Sequence, residues 1–238
     1  MRFFDQTIST IVDENYIHAR ALSYLGIEFY LHPNQKLGLI CEEKGLVEEQ
    51  VLRSFYLFDQ NHRLSFRELQ NYPLQIIVQY LKHSHAVFIK EKLPYIARLI
   101  KNIEGKEDLK LIFPDFIEEF INHIYSEEDT VFNYINQLIL IDQGKEVNPA
   151  GVMLKFHKYS LKTIHSEHLL DDDMSGIRAF VEDISDPDLL WRVISNEIRA
   201  FDREMMYHAQ IENQIMFPKA IALESTVNEK MIKISQLN

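Results

Sequence analysis

Two His-x-x-x-Glu units carry the chemistry that this sequence offers. One is His123-Ile124-Tyr125-Ser126-Glu127 and the other is His208-Ala209-Gln210-Ile211-Glu212. A spacing of four puts imidazole and carboxylate on one helical face, a turn apart. Such a pair can bind one metal ion, or its His can bind one ion while the carboxylate bridges to a second. Apolar phase turns both units inward. Phe116 and Phe120 lead into the first and Val131 follows it; Phe201 and Met205 lead into the second and Ile215 follows. A buried carboxylate is costly unless neutralised or paired. Neither stripe carries a Lys or Arg in phase, so a metal cation is the expected counter-charge.

Two further helical stretches should add ligands. On the first, His85 shares a stripe with Leu81, Ile89, Leu93 and Ile96, which favours it over His83, aligned with Ile76, Tyr80 and Val87. On the third, His157, His165 and His168 compete, and phase does not separate them. Imidazole and carboxylate donors without thiolates suit iron, manganese or zinc. A set of about four His with two bridging Glu fits a dinuclear site, and iron is favoured for a centre that cycles oxidation state with a position open to a small ligand. The single cysteine, Cys41, leaves no intramolecular disulfide and no Cys-rich zinc or iron–sulfur site within the chain.

The elements that must position these residues are helices. The chain has 238 residues, 46% of them apolar and only 7 glycine, a balance that fits a helix-rich fold. Residues 1–70 read as a small helical domain, with helix-spaced apolar positions over Asp13–Leu25 and Glu42–Phe58 and a break at Pro33-Asn34. The polar stretch from Asp59 to Pro73 reads as a connection. Residues 71–238 read as four long helices, over about Leu74–Asn102, Asp108–Leu140, Gly151–Ile184 and Leu189–Glu224. Pro94 should kink the first, Pro114 should sit early in the second, and Pro218 should bend or end the fourth. Short connections between four helices predict an all-α, up-down-up-down four-helix bundle, which presents ligands on facing inner stripes.

Charge and hydropathy exclude some partners. With 25 basic against 36 acidic residues, the formal net charge is −11, which disfavours nucleic acid. No window approaches 18 uninterrupted apolar residues, so no membrane span is expected. The N-terminus, Met1-Arg2-Phe3-Phe4-Asp5, lacks a signal peptide's apolar core, and a cytoplasmic protein is expected.

Several of these segments resemble a known family. His123-Ile-Tyr-Ser-Glu127-Glu128-Asp-Thr-Val-Phe132 and His208-Ala-Gln-Ile-Glu212-Asn213-Gln-Ile-Met-Phe217-Pro218 look like the two signature helices of the hemerythrin-like di-iron proteins that repair iron–sulfur clusters. Ser166-Glu167-His168, followed by Ile177-Arg178, resembles the family's third ligand helix, and Ser84-His85 with Leu93-Pro94 its first. Gly26-Ile27-Glu28-Phe29 and Cys41 resemble its N-terminal helical domain. Where the family commonly has Cys-Cys-Gly-Gly, this chain has Tyr30-Leu31-His32-Pro33. The resemblance implies two iron ions held by His85, His123, His168 and His208, with Glu127 and Glu212 bridging. It implies a role in repairing clusters damaged by nitric oxide or oxidative stress. The alternative is a module that binds or senses dioxygen or nitric oxide without repair. The expected partners are damaged iron–sulfur proteins or those gas ligands, with a second copy of the chain in a homodimer as a further one.

Overall fold

The protein is described by a computed structural model covering residues 3–59, 65–146, 148–156, 160–168, 175–178 and 188–236. Among the described residues it is all-helical apart from one Thr7–Lys36 bridge. No helix among them is long and apolar enough to cross a membrane.

The N-terminal part holds α1 (Ile8–Glu14), α2 (Ile17–Tyr24), α3 (Leu37–Lys44), α4 (Glu48–Asp59) and α5 (Phe66–Gln70). Both expected N-terminal segments are divided. The Asn15 side chain accepts from Ile17 N–H at 3.1 Å and starts α2 afresh. Gly45, at φ +66°, closes α3 in the left-handed conformation that favours glycine. The expected connection after Asp59 contains α5, started by a reciprocal Ser65–Glu68 capping box, with Leu69 buried beneath it.

The first long stretch comprises α6 (Leu74–Val87), a π-helical segment (Phe88–Lys92) and α7 (Leu93–Asn102). The second comprises α8 (Glu107–Glu127), a π-segment (Glu128–Phe132) and α9 (Asn133–Asp142). The last comprises α13 (Leu189–Ile211), a π-segment (Glu212–Met216) and α14 (Phe217–Gln236). Pro218 therefore does not end the fourth helix. Pro94 and Pro218 each stand two residues beyond a π-segment, where a widened turn accommodates the ring and the missing N–H. Pro114 lies inside α8, because that helix already begins at Glu107. Between Gln143 and Asp188 the described helices are α10 (Pro149–Lys155), α11 (Leu161–His168) and α12 (Ser175–Arg178). The expected third helix is interrupted after Lys155.

Side-chain pairings give the directions. His85 meets Glu128 and Phe88 meets Phe120, so the first stretch runs antiparallel to the second. His85 meets His208 and Lys92 meets Glu204, so the first is antiparallel to the last as well. Phe116 meets Phe201 and Tyr134 meets Glu224, so the second and last run parallel.

The apolar core lies in two blocks. One joins the N-terminal helices to Phe88, Ile96, Phe116, Phe120, Trp191 and Phe201. The other gathers Leu81, Phe132, Leu138, Ile215, Phe217 and Val227. A buried polar group lies between them, with His85 against Phe132 of the second block and His208 against Phe88 of the first.

Candidate metal centre

Four buried side chains from three helical stretches converge: His85, Glu127, His208 and Glu212, with exposures of 3%, 7%, 6% and 2%. One ligating atom from each lies within 4.8 Å of all the others. His85 Nε2 and His208 Nε2 are 2.9 Å apart, His208 Nε2 and Glu212 Oε1 2.9 Å, and His85 Nε2 and Glu127 Oε2 3.6 Å.

Local structure explains the convergence. Along α6 and its π-segment, Leu81, His85 and Phe88 form one buried line. Along α8 the line is Phe120, Ile124, Glu127 and Val131. Along α13 it is Phe201, His208 and Ile211, continuing through Glu212 to Ile215. Each π-segment sits at a member of the group: His85 is three residues before one, Glu127 immediately precedes another, and Glu212 opens the third. Such widened turns recur at functional sites because they redirect side chains within an otherwise regular helix.

Aromatic rings enclose the group. The Phe132 ring stacks on His85 at 5.5 Å with an interplanar angle of 2°, and Phe88 lies edge-on to His208 at 5.6 Å. Phe88, Phe120 and Phe201 then form a wall toward the N-terminal helices. Burial, with the neighbouring His208 second, pulls the His85 pKa down to about 4, so this imidazole is neutral at pH 7. Neutral imidazole is the form that binds metal.

The donor set fits a cation. His208 Nε2 carries at most one proton, yet faces the His85 nitrogen and the Glu212 oxygen at the same distance. Ligands about 2.1 Å from one ion and at right angles lie about 3 Å apart, which matches both separations. Two anionic carboxylates with two imidazoles also match the charge and chemistry of a divalent first-row metal.

The remaining expected residues lie elsewhere. His83 is exposed, whereas His85, one face away, is buried. His123 is half-buried rather than fully in the core, because Ile124 takes the buried line, and it lies outside the converging four. His165 is half-buried on α11 and stacks on Phe217 at 4.8 Å. The side chain of His168 and all of His157 lie outside the described residues. Ile177 is buried, and Arg178 reaches Asp202 of α13 at 2.8 and 3.0 Å.

Sequence reasoning missed Glu128. Its Oε1 is 2.9 Å from His85 Nδ1, and Lys82 Nζ is 3.6 Å from its Oε2. Adjacent helical residues ordinarily do not share a face, so spacing gave no sign that Glu127 and Glu128 both turn to His85.

With this geometry in view, the likeness to known proteins is informative. The chain is similar to iron–sulfur cluster repair protein YtfE. The relatives from Yersinia pestis (strain Pestoides F) and Yersinia pseudotuberculosis serotype IB (strain PB1/+) are each 20% identical to it over 169 residues. The match spans 66% of this chain and 70% of each relative. No family model matches the chain.

Proposed function

We propose that this chain is a non-haem di-iron protein that acts in the repair of iron–sulfur clusters damaged by nitric oxide or oxidative stress. The observation that carries the reading is the buried convergence of His85, Glu127, His208 and Glu212. Their mutual separations suit the shell of one ion, and each carboxylate has a second oxygen with which to reach a neighbouring ion. On this reading His85 and His208 hold one iron, and Glu127 and Glu212 bridge. The second iron needs imidazoles from the second and third helical stretches. His123, one turn before Glu127 on α8, and His168, at the end of α11, take that part.

The corresponding architecture is a four-helix bundle over residues 71–238, preceded by a small helical domain over residues 1–70. The observed antiparallel and parallel pairings among the three described long stretches support it. Bound irons would supply one-electron redox chemistry and a position for a small ligand. The chain's own residues supply imidazole and carboxylate donors and an aromatic wall against water. The relatives' printed role supports repair as the task; damaged iron–sulfur proteins as clients and the cytoplasm as the place of action are parts of the proposal. Untagged protein loaded anaerobically should hold about two irons per chain. Adding it to a nitric-oxide-damaged iron–sulfur enzyme should restore that enzyme's activity. Iron content without any such recovery would refute repair.

One observation favours a second reading, reversible binding of dioxygen or nitric oxide. Tyr30-Leu31-His32-Pro33 stands where cysteines would serve thiol chemistry, and Cys41 is 3% exposed. Burial, then the charge of Glu48, pushes the Cys41 thiol up, away from the reactive thiolate. A reversible optical change with either gas, in protein inactive in repair, would establish this alternative.

A further inference from the structure

The converging four account for only one of the two ring nitrogens of His85. The other, Nδ1, faces Glu128 Oε1 at 2.9 Å. Glu127 and Glu128 are consecutive, yet Glu127 approaches Nε2 and Glu128 approaches Nδ1 of the same imidazole. The π-segment that begins at Glu128 accompanies this placement, because a widened turn alters the angular offset between side chains. Phe132, the last residue of the same segment, stacks flat on the His85 ring. One five-residue segment thus fixes both the plane of the ring and one of its nitrogens. Lys82, one turn before His85 on α6, approaches the other oxygen of Glu128 at 3.6 Å.

From this geometry we infer that Glu128 is a positioning residue for the metal centre: it accepts the Nδ1–H of His85 and so keeps the Nε2 lone pair directed at the ion. A carboxylate only accepts, so the proton of this hydrogen bond belongs to Nδ1. A neutral imidazole with its proton on Nδ1 has its free pair on Nε2, the nitrogen that faces His208 and Glu127. Carboxylates that orient a ligating His in this way typically change metal affinity by about 10–100-fold when removed. Glu128 itself is partly exposed, with 26% of its side chain accessible, so replacing it leaves the core intact.

The inference rests on the metal reading proposed above, but its first readout needs no metal. In metal-free protein labelled with ¹⁵N-histidine, His85 should be the Nδ1–H tautomer. Glu128→Ala should shift it toward Nε2–H, while Glu128→Gln, which keeps an accepting oxygen, should shift it less. In the second readout, competition with a chelator, Glu128→Ala should bind iron about 10–100-fold more weakly than wild type, with Glu128→Gln between them. Thermal unfolding of the metal-free variants should match wild type, which separates positioning from a general loss of structure. An unchanged His85 tautomer in Glu128→Ala, or iron affinity equal to wild type, overturns the inference. Failure of the wild-type protein itself to bind iron refutes the metal reading instead, and the tautomer comparison distinguishes that case.

Discussion

Two regions of this molecule bury carboxylates among helices, and they neutralise them differently. Where α2 packs on α7 and α13, Glu197 is 2% exposed and its carboxylate meets the Arg20 guanidinium. Arg20 and Arg98 also lie over the Tyr95 ring, at 5.0 and 5.4 Å, and Lys92 pairs with Glu204 at 2.6 Å. About four turns beyond Glu197, in the π-segment that follows α13, Glu212 and the facing Glu127 approach imidazoles at 2.9 and 3.6 Å, and one of those imidazoles, His85, is held neutral. The first region supplies its own permanent cation. The second offers imidazole nitrogen donors, an arrangement that stabilises buried carboxylates best when a cation comes from outside the chain.

The largest expected effect separates the two regions by metal content. Glu212→Ala should lose nearly all bound iron, as measured by elemental analysis, whereas Arg20→Ala should keep it. The second effect is on stability. Arg20→Ala leaves Glu197 buried without its guanidinium and should cost about 3–5 kcal/mol in chemical unfolding. Replacing both partners with apolar residues, Arg20→Met with Glu197→Leu, should recover most of that loss.

That penalty should depend on pH in a defined direction. Burial already raises the Glu197 pKa, opposed by Arg20 and Lys92, and removing Arg20 raises it further. The folded variant then holds a proton that the unfolded chain releases. This contribution is present below the ordinary carboxylate range and is lost as pH rises through the raised folded value. Arg20→Ala should therefore be less destabilising at pH 5 than at pH 8 in parallel urea titrations.

A smaller effect sharpens the contrast from the other side. In metal-free protein, Glu212→Gln removes a buried ionisable group while keeping shape and should raise stability by about 1–3 kcal/mol. In iron-loaded protein the same change should lower the unfolding temperature. The smallest effect is expected at His83, one face away from His85 and exposed: His83→Ala should leave iron content at the wild-type level while His85→Ala lowers it.

These contrasts also show what spacing alone made legible. The four-residue steps from His123 to Glu127 and from His208 to Glu212 placed both carboxylates in the core, since apolar neighbours three and four residues away fix helix phase. Phase also selected His85 over His83. His123 itself is half-buried, because Ile124 takes the inward line beside it and is the more apolar of the two. Phase could not anticipate that Glu128 would reach His85 beside Glu127, because a π-segment breaks the regular angular step on which periodicity depends. The helix expected to end near Pro218 runs on for a related reason: the widened turn ahead of that proline accommodates its ring and missing N–H. Arg20 and Glu197, 177 residues apart in sequence, left no local pattern from which their pairing could be read.

In the proposed function, the His85–Glu127–His208–Glu212 group belongs to a di-iron centre. Its most direct test is the iron content, with an optical spectrum, of untagged protein freshly isolated without added metal. About two irons per chain and an absorption band lost on chelation are expected. Protein that lacks iron as isolated and still takes up none after anaerobic loading would contradict the di-iron reading.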